Sequence, residues 1–321
     1  MATSRFALPD LEPDQRRYEI PHDAHVRPRK HVVRKIVSVL LVIVGAYFLI
    51  SVAMNPRFHW DVVAEYMFDE TVLSGLRTTL LLTLAAAVLG MILGTIVAIM
   101  RLSPIAALST PAWLFAVFFR GTPELVQILF WYNIAALYPT IFLGIPGVFT
   151  IFEADANALI APLTAGLIAL SINEAAYMSE IIRSGIIGIS KGQTEAAEAV
   201  GMPPRRILMR IILPQAMRTI IPPMGNEIIG LLKATALVSM IAIPELLFST
   251  QVIYNQNLQV IPLLIVASVW YLVVTSVMSV GQYFIERHFG RGSSSTVTPL
   301  RVWWSAFTRR HAQNTSGKEA S

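Results

Sequence analysis

Long runs without a charged residue limit this chain more than any other feature: Ile36 to Met54, Thr78 to Met100 and Leu246 to Ile285 contain no Asp, Glu, Lys or Arg. An apolar membrane core about 30 Å thick is crossed by roughly 20 residues of helix. Inside it every backbone polar group must be satisfied within its own segment, so helices are the expected form. Of 321 residues, 55% are hydrophobic and only 14% charged, a balance outside that of soluble domains. The fold class expected is all-α, a polytopic membrane protein.

Six segments qualify as spans, near 33–54, 76–100, 122–145, 158–182, 219–244 and 261–285. The polar stretch Tyr254-Asn255-Gln256-Asn257 reads as a loop, leaving the last span to begin after Pro262. The first span starts too late and lacks the small-residue cleavage site of a signal peptide, so it is read as a retained helix. The expected layout is a tail over 1–30, an additional helix over 31–55, a membrane domain over 76–287 and a second tail over 288–321. Basic residues crowd alternate connections: Arg27, Arg29, Lys30, Arg34 and Lys35, then Lys191, Arg205, Arg206, Arg210 and Arg218, then Arg287, Arg291, Arg301, Arg309 and Arg310. Acids mark the others, at Asp61, Glu65, Asp69, Glu70, Glu153 and Asp155. The positive-inside rule puts the basic side, and both termini, in the cytoplasm.

Ala86, Gly90, Gly94 and Ala98 recur every four residues and form a stripe against which another helix can pack closely. The aromatic segment from Pro104 to Phe119 is bounded by Arg101 and Arg120. Burying Arg120 in lipid would cost about 2.5–3.5 kcal/mol, so this segment is expected as an interfacial elbow, with Arg120 at the cytoplasmic boundary and the next span starting at Thr122-Pro123. Between the fourth and fifth spans lies a polar hairpin, 190–214. Ser190 and Gln193 have capping-box spacing, Gly201 suits a left-handed helix end, and Pro203-Pro204 suit a first turn. The second limb is expected to stop at Pro214.

Ionisable residues inside spans are functional candidates, since they are costly there unless paired or wetted. Asn173, Glu174, Tyr177 and Glu180 lie in the fourth span; Asn226, Glu227, Lys233 and Thr235 lie in the fifth; Gln127 lies in the third. They line a translocation path, or Glu174 or Glu227 pairs with Lys233 and locks the bundle. Tyr132 and Asn133 are weaker path candidates, and Trp131 with Tyr132 reads equally well as packing. The chain has no cysteine, no phosphate loop G-x-x-x-x-G-K-[ST] and no H-E-x-x-H, so no catalytic or metal constellation is visible. An ion-coupled transporter using Glu174, Glu227 and Lys233 is the competing class.

The hairpin carries Glu195-Ala196-Ala197, then Gly201, then Ile211, Leu213 and Pro214, in the spacing E-A-A-x3-G-x9-I-x-L-P. This resembles the signature of permease subunits in ATP-binding-cassette importers. Phe119-Arg120-Gly121-Thr122-Pro123, Glu180-Ile181 with Arg183, Lys191-Gly192-Gln193 and Pro244-Glu245-Leu246 are similar to the polar amino acid branch, of histidine, glutamine and arginine type. Glu124 and Ala236 depart from it, standing where many relatives have an apolar residue and Ser. The resemblance implies a five-helix core, to which the first span is an addition, in a bacterial inner membrane. It also implies docking of two ATPase subunits on the hairpin, a second permease subunit, with a homodimer favoured over a heterodimer, and an extracytoplasmic amino-acid-binding protein. ATP and Mg would be bound by the partner ATPase; no cofactor is expected in this chain, and no nucleic acid partner.

Overall fold

The computed structural model describes residues 32–145 and 149–289. The tails expected over 1–30 and 288–321 therefore lie almost wholly outside the described residues, with Arg27, Arg29, Lys30, Arg291, Arg301, Arg309 and Arg310. The chain divides at Arg57 and Phe58 into two units. The first contains α1, Val32–Met54, whose 23 residues reach about 35 Å and carry no charge from Ile36 on.

In the second unit, α2 (Trp60–Tyr66) leads to α3 (Glu70–Leu102). The helix starts at Glu70, earlier than the expected 76, because the Asp69 side chain accepts from Thr71 N at 2.8 Å and caps it there. A separate helix, α4 (Ala106–Gly121), ends at Thr122-Pro123 as expected, and α5 (Glu124–Tyr132) leaves it bent by 104°.

The third span does not continue to 145. Its helix stops at Tyr132, and β1 (Thr140–Ile145) pairs antiparallel with β2 (Phe149–Asp155), Thr140 opposite Asp155 and Phe142 opposite Glu153. Pro139 and Gly144 interrupt helix, and Thr140, Ile141 and Phe142 between them are β-branched or aromatic, which favours a pleated strand. A Cβ at Gly144 would run into the Phe149 carbonyl oxygen, so the ladder irregularity there needs glycine. Asp155 then caps the short α6 (Ala156–Leu159).

α7 (Pro162–Ile187) is followed by α8 (Lys191–Ala199), α9 (Pro204–Ile207), a π turn at Leu208–Ile212 and α10 (Leu213–Ala234). A 3-10 segment, Thr235–Ile241, ends in a left-handed Ala242. Tyr254 to Asn257, expected as a loop, belong instead to α11 (Leu246–Asn257). Glu245 makes the difference, accepting from Leu247 N at 2.9 Å and Phe248 N at 2.7 Å and so starting a helix whose polar end alone is visible in the sequence. The last helix is α12 (Val260–Phe289).

Among the described residues, Ile36–Met54, Glu70–Leu102, Pro204–Ile241 and Val260–Phe289 are long and apolar enough to cross a membrane, and α4 with α5 makes a fifth if taken as one bent span. α7 has the length, 26 residues or about 39 Å, but Asn173, Glu174, Glu180 and Arg183 make it less apolar. It packs against α3, α4, α5 and α10, so protein rather than lipid surrounds its polar groups. The core is centred on α7: Leu82, Ala86 and Ala87 from α3, Ile128 from α5, Ala165, Ala169 and Leu170 from α7, and Leu231 from α10. The small-residue stripe is buried throughout, Ala86 and Ala98 at 0% exposure, and allows the approach it predicts: a Cβ at Gly94 would stand 2.6 Å from Met178 Cβ and 2.9 Å from the Ala175 carbonyl.

Candidate translocation cavity and coupling hairpin

A cavity of about 290 Å³ opens where the break before α5 faces the middle of α7 and the second half of α10. Thr122, Pro123 and Glu124 line one wall, Asn173, Glu174 and Tyr177 the second, Glu227, Gly230, Leu231 and Ala234 the third. Three carboxylates, on three helices, converge on it with no basic residue in the lining. Glu174 is 3% exposed and its Oε1 has no hydrogen-bond partner. It is repelled by Glu227 and Glu124, while Arg120 outside the lining attracts Glu227. Gly90 makes room for it: a Cβ there would lie 2.6 Å from Glu174 Cγ.

The structure brings Asn173, Glu174, Tyr177 and Glu227 together and sets the other path candidates aside. Gln127 is buried beneath the break, where its Nε2 donates to the carbonyls of Phe119 at 2.9 Å and Thr122 at 3.1 Å. Asn173 Nδ2 joins this network, donating to Phe119 O at 3.1 Å and Gln127 Oε1 at 3.2 Å. These amides satisfy the backbone that the bend between α4 and α5 frees. Thr235 donates to the carbonyl of Leu232 within its own helix. Asn226 and Lys233 are exposed. Among the described residues Lys233 forms no ion pair, and the locking pair with Glu174 or Glu227 is not made. Six residues of helix turn about 600°, which leaves Lys233 about 120° away from Glu227 around α10. The ion-coupled alternative thereby loses the basic member of its relay.

In the sequence Glu124 stands out only as a departure from the amino acid branch, where many relatives have an apolar residue. An acid in the first turn of a helix is favoured by the exposed backbone N–H groups, so this position reads as ordinary helix chemistry until the fold sets it beside Glu174. Glu180 faces a different environment: Oε2 lies 2.7 Å from Arg101 and 3.3 Å from Arg120, and Oε1 lies 2.7 Å from Arg183. Arg120 also stands over the Tyr177 ring, 5.5 Å from its centroid.

The hairpin starts at Ser190, but the capping box is not formed; the Ser190 carbonyl, not its hydroxyl, meets Gln193 N at 3.0 Å. Its turn follows expectation. Gly201 has φ of 76°, its N–H donates to Glu198 O at 2.8 Å, and Met202 N donates to Ala197 O at 3.1 Å, the paired bonds of a Schellman end. Pro203 caps α9 and Pro204 fills its first turn. Ala197 and Ile207 are buried where the limbs pack, while Glu195, Ala196, Gly201 and Pro214 are exposed and Ile211 and Leu213 half-buried.

Pro214 does not end the second limb. The π turn widens the ladder just before it, so the missing N–H and the ring are accommodated, and Gln215 Nε2 bonds the Ile211 carbonyl at 2.8 Å. From Pro204 to Ile241 the chain is one helical stretch of 38 residues. One limb of the hairpin is thus continuous with the helix that carries Glu227 into the cavity, and the other follows α7, which carries Glu174.

Comparison with known proteins agrees with this arrangement. The arginine transport system permease protein ArgU of Corynebacterium glutamicum is 42% identical over 286 residues, 88% of each chain. The L-cystine transport system permease protein TcyB of Bacillus subtilis is 35% identical over 245 residues, 75% of this chain and 95% of its own. A crystal structure of an amino acid ABC transporter with histidines superposes with a TM-score of 0.58 at 35% identity, covering 68% of this chain and 94% of that one. The methionine ABC transporter MetNI, inward facing, shares the fold at 16% identity, with a TM-score of 0.54. Residues 86–291 match the family model of the binding-protein-dependent transport system inner membrane component, and the chain belongs to that family of importer permeases.

Proposed function

We propose that this permease carries amino acids with a cationic side chain, which pass the cavity of Glu124, Glu174 and Glu227. One observation carries the reading: three acids on three helices face a common space with no base among them, and one buried carboxylate oxygen has no partner. A guest bearing an ammonium or guanidinium group relieves the mutual repulsion and fills the vacant acceptor, while a neutral guest does neither. The similarity to an arginine permease over 88% of the chain supports the same class. At about 290 Å³ the cavity is at the small end for ligand sites and suits a free amino acid.

Transport is powered by ATPase subunits, two per complex, which dock on the hairpin through Glu195, Ala196, Ala197, Gly201, Ile211, Leu213 and Pro214. Val200 and Met209, 75% and 57% exposed on the hairpin, give the partner an apolar grip. Because the hairpin runs directly into α7 and α10, a push on it moves Glu174 and Glu227 relative to each other and alters the cavity. An extracytoplasmic binding protein delivers the amino acid, and a second copy of this chain completes the bundle, both termini facing the cytoplasm. ATP and Mg belong to the partner subunits.

The test is binding to the complex reconstituted without its binding protein. Arginine and lysine should bind at least tenfold more tightly than glutamine, and Glu174→Gln should weaken arginine by about tenfold or more, the loss of a charged hydrogen bond of about 1.5–3 kcal/mol. Equal affinity for glutamine and arginine would overturn the substrate class; unchanged ATP-dependent uptake in a well-expressed Gly201→Asp variant would overturn the hairpin's role.

A further inference from the structure

A second cavity, of about 470 Å³, opens between the end of α3, the middle of α4 and the end of α7, lined by Arg101, Ser109, Thr110, Trp113 and Arg183. Its charges do not balance. Three guanidinium groups, Arg101, Arg120 and Arg183, surround the single carboxylate of Glu180. The Arg101 side chain is only 8% exposed, so its charge is largely withdrawn from water. Its Nη1 lies 2.7 Å from Glu180 but outside hydrogen-bond geometry, and Arg183 Nε is buried with no hydrogen-bond partner. A guanidinium carries five N–H donors, and one carboxylate cannot occupy those of three arginines. Of the three only Arg101 is withdrawn from water, Arg120 and Arg183 being 39% and 30% exposed; a buried guanidinium that shares its one carboxylate with two others is costly, which calls for a further anion.

The surroundings indicate which anion. The Thr110 hydroxyl adds a donor beside the arginines, and that of Ser109, which donates to Ile105 O at 3.3 Å, adds a second on turning from it, a set that suits the several oxygens of a phosphate better than a carboxylate. Arg183 stands shortly before the hairpin, so the cavity is on the hairpin's side of the membrane, the basic side. Trp113, 52% exposed, has the amphipathic ring found at headgroup depth, and its neighbours Leu108 and Leu114 on α4 are 41% and 54% exposed, a surface for acyl chains.

We propose that Arg101 and Arg183, with Ser109 and Thr110, form a site for a phosphate-bearing anion, supplied by an anionic phospholipid headgroup or by free phosphate. The site is separate from the acidic cavity and does not depend on which amino acid is carried. It is tested on the delipidated full chain with its ATPase, titrated separately with phosphatidylglycerol, phosphatidylcholine and inorganic phosphate, reading retained ligand by native mass spectrometry and the thermal midpoint. Phosphatidylglycerol should bind about tenfold or more tightly than phosphatidylcholine. Ser109→Asp, which sets a competing carboxylate at the cavity and leaves Glu180 in place, should weaken it about tenfold. Binding of inorganic phosphate, also weakened by Ser109→Asp, supports the site with the free ion as its source. The proposal is overturned if neither phosphatidylglycerol nor phosphate distinguishes wild type from Ser109→Asp, or if the zwitterionic lipid binds as well as the anionic one.

Discussion

The close packing of α3 on α7 gives a sharp prediction, the effect of one methyl group at Gly94. Its Cβ would be placed 2.6 Å from Met178 Cβ, 2.9 Å from the Ala175 carbonyl oxygen and 3.2 Å from Ser179 N. Carbon atoms rest at about 3.5–4.0 Å, so α3 and α7 must separate by about 1 Å. Two of the three obstructing atoms are backbone, and neither can turn away as a side-chain tip could. Overpacking of this kind costs about 1–3 kcal/mol, and the better helix propensity of alanine returns about 0.5–1 kcal/mol, for a net loss of about 0.5–2 kcal/mol. Gly281, with nothing within 4 Å, is the control, where alanine should be neutral or slightly stabilising. Gly90→Ala should add a functional effect: the new methyl would meet Glu174 Cβ at 2.7 Å and displace the carboxylate, so amino acid binding should fall more than stability does. The measurement is thermal unfolding of the purified complex in one detergent, at about 2–4 °C per kcal/mol. If Gly94→Ala melts together with wild type and Gly281→Ala, the packing reasoning fails.

Other sites make independent predictions. Tyr271 donates to Glu245 Oε2 at 2.8 Å, and Glu245 is fully buried; Tyr271→Phe should cost about 1–3 kcal/mol of stability, and a smaller loss in thermal unfolding would show that water replaces the hydroxyl. Gln127→Leu should cost a similar amount of about 1–3 kcal/mol, since Phe119 O and Thr122 O lose a donor at the α4–α5 bend; unchanged stability would mean the bend needs no satisfaction. Gly201→Ala forces a side chain into φ of 76° and should weaken the hairpin by about 1–2 kcal/mol, seen as faster amide exchange in α8 and lower substrate-stimulated ATPase activity. An exchange pattern identical to wild type would refute the role given to that turn.

The apolar runs determined by themselves that the chain is helical and built for a membrane, because lipid allows few other solutions. Spacing determined the small-residue stripe, and local backbone chemistry determined the break at Thr122-Pro123 and the left-handed turn at Gly201. Local rules failed where a neighbour or a longer-range pairing decides. Tyr254 to Asn257 are helical because Glu245, at the far end of the segment, is buried and caps it. Pro214 sits inside a continuous helix because a π turn precedes it. The stretch after Tyr132 became a hairpin because its partner strand lies beyond Pro146-Gly147.

The site divides in the same way. The sequence could nominate Glu174 and Glu227, since charged groups in apolar helices are rare for energetic reasons. Helical spacing alone sets Lys233 about 120° from Glu227; only the tertiary structure shows that the Glu227 face is the one at the cavity, and adds Glu124, whose neighbours lie about fifty and one hundred residues away. Secondary structure and membrane class follow from interactions within a few residues and with the solvent. Which charges share a cavity is set by how α5, α7 and α10 pack together, with Gly90 and Gly94 letting α3 approach α7, and that is a property of the whole fold.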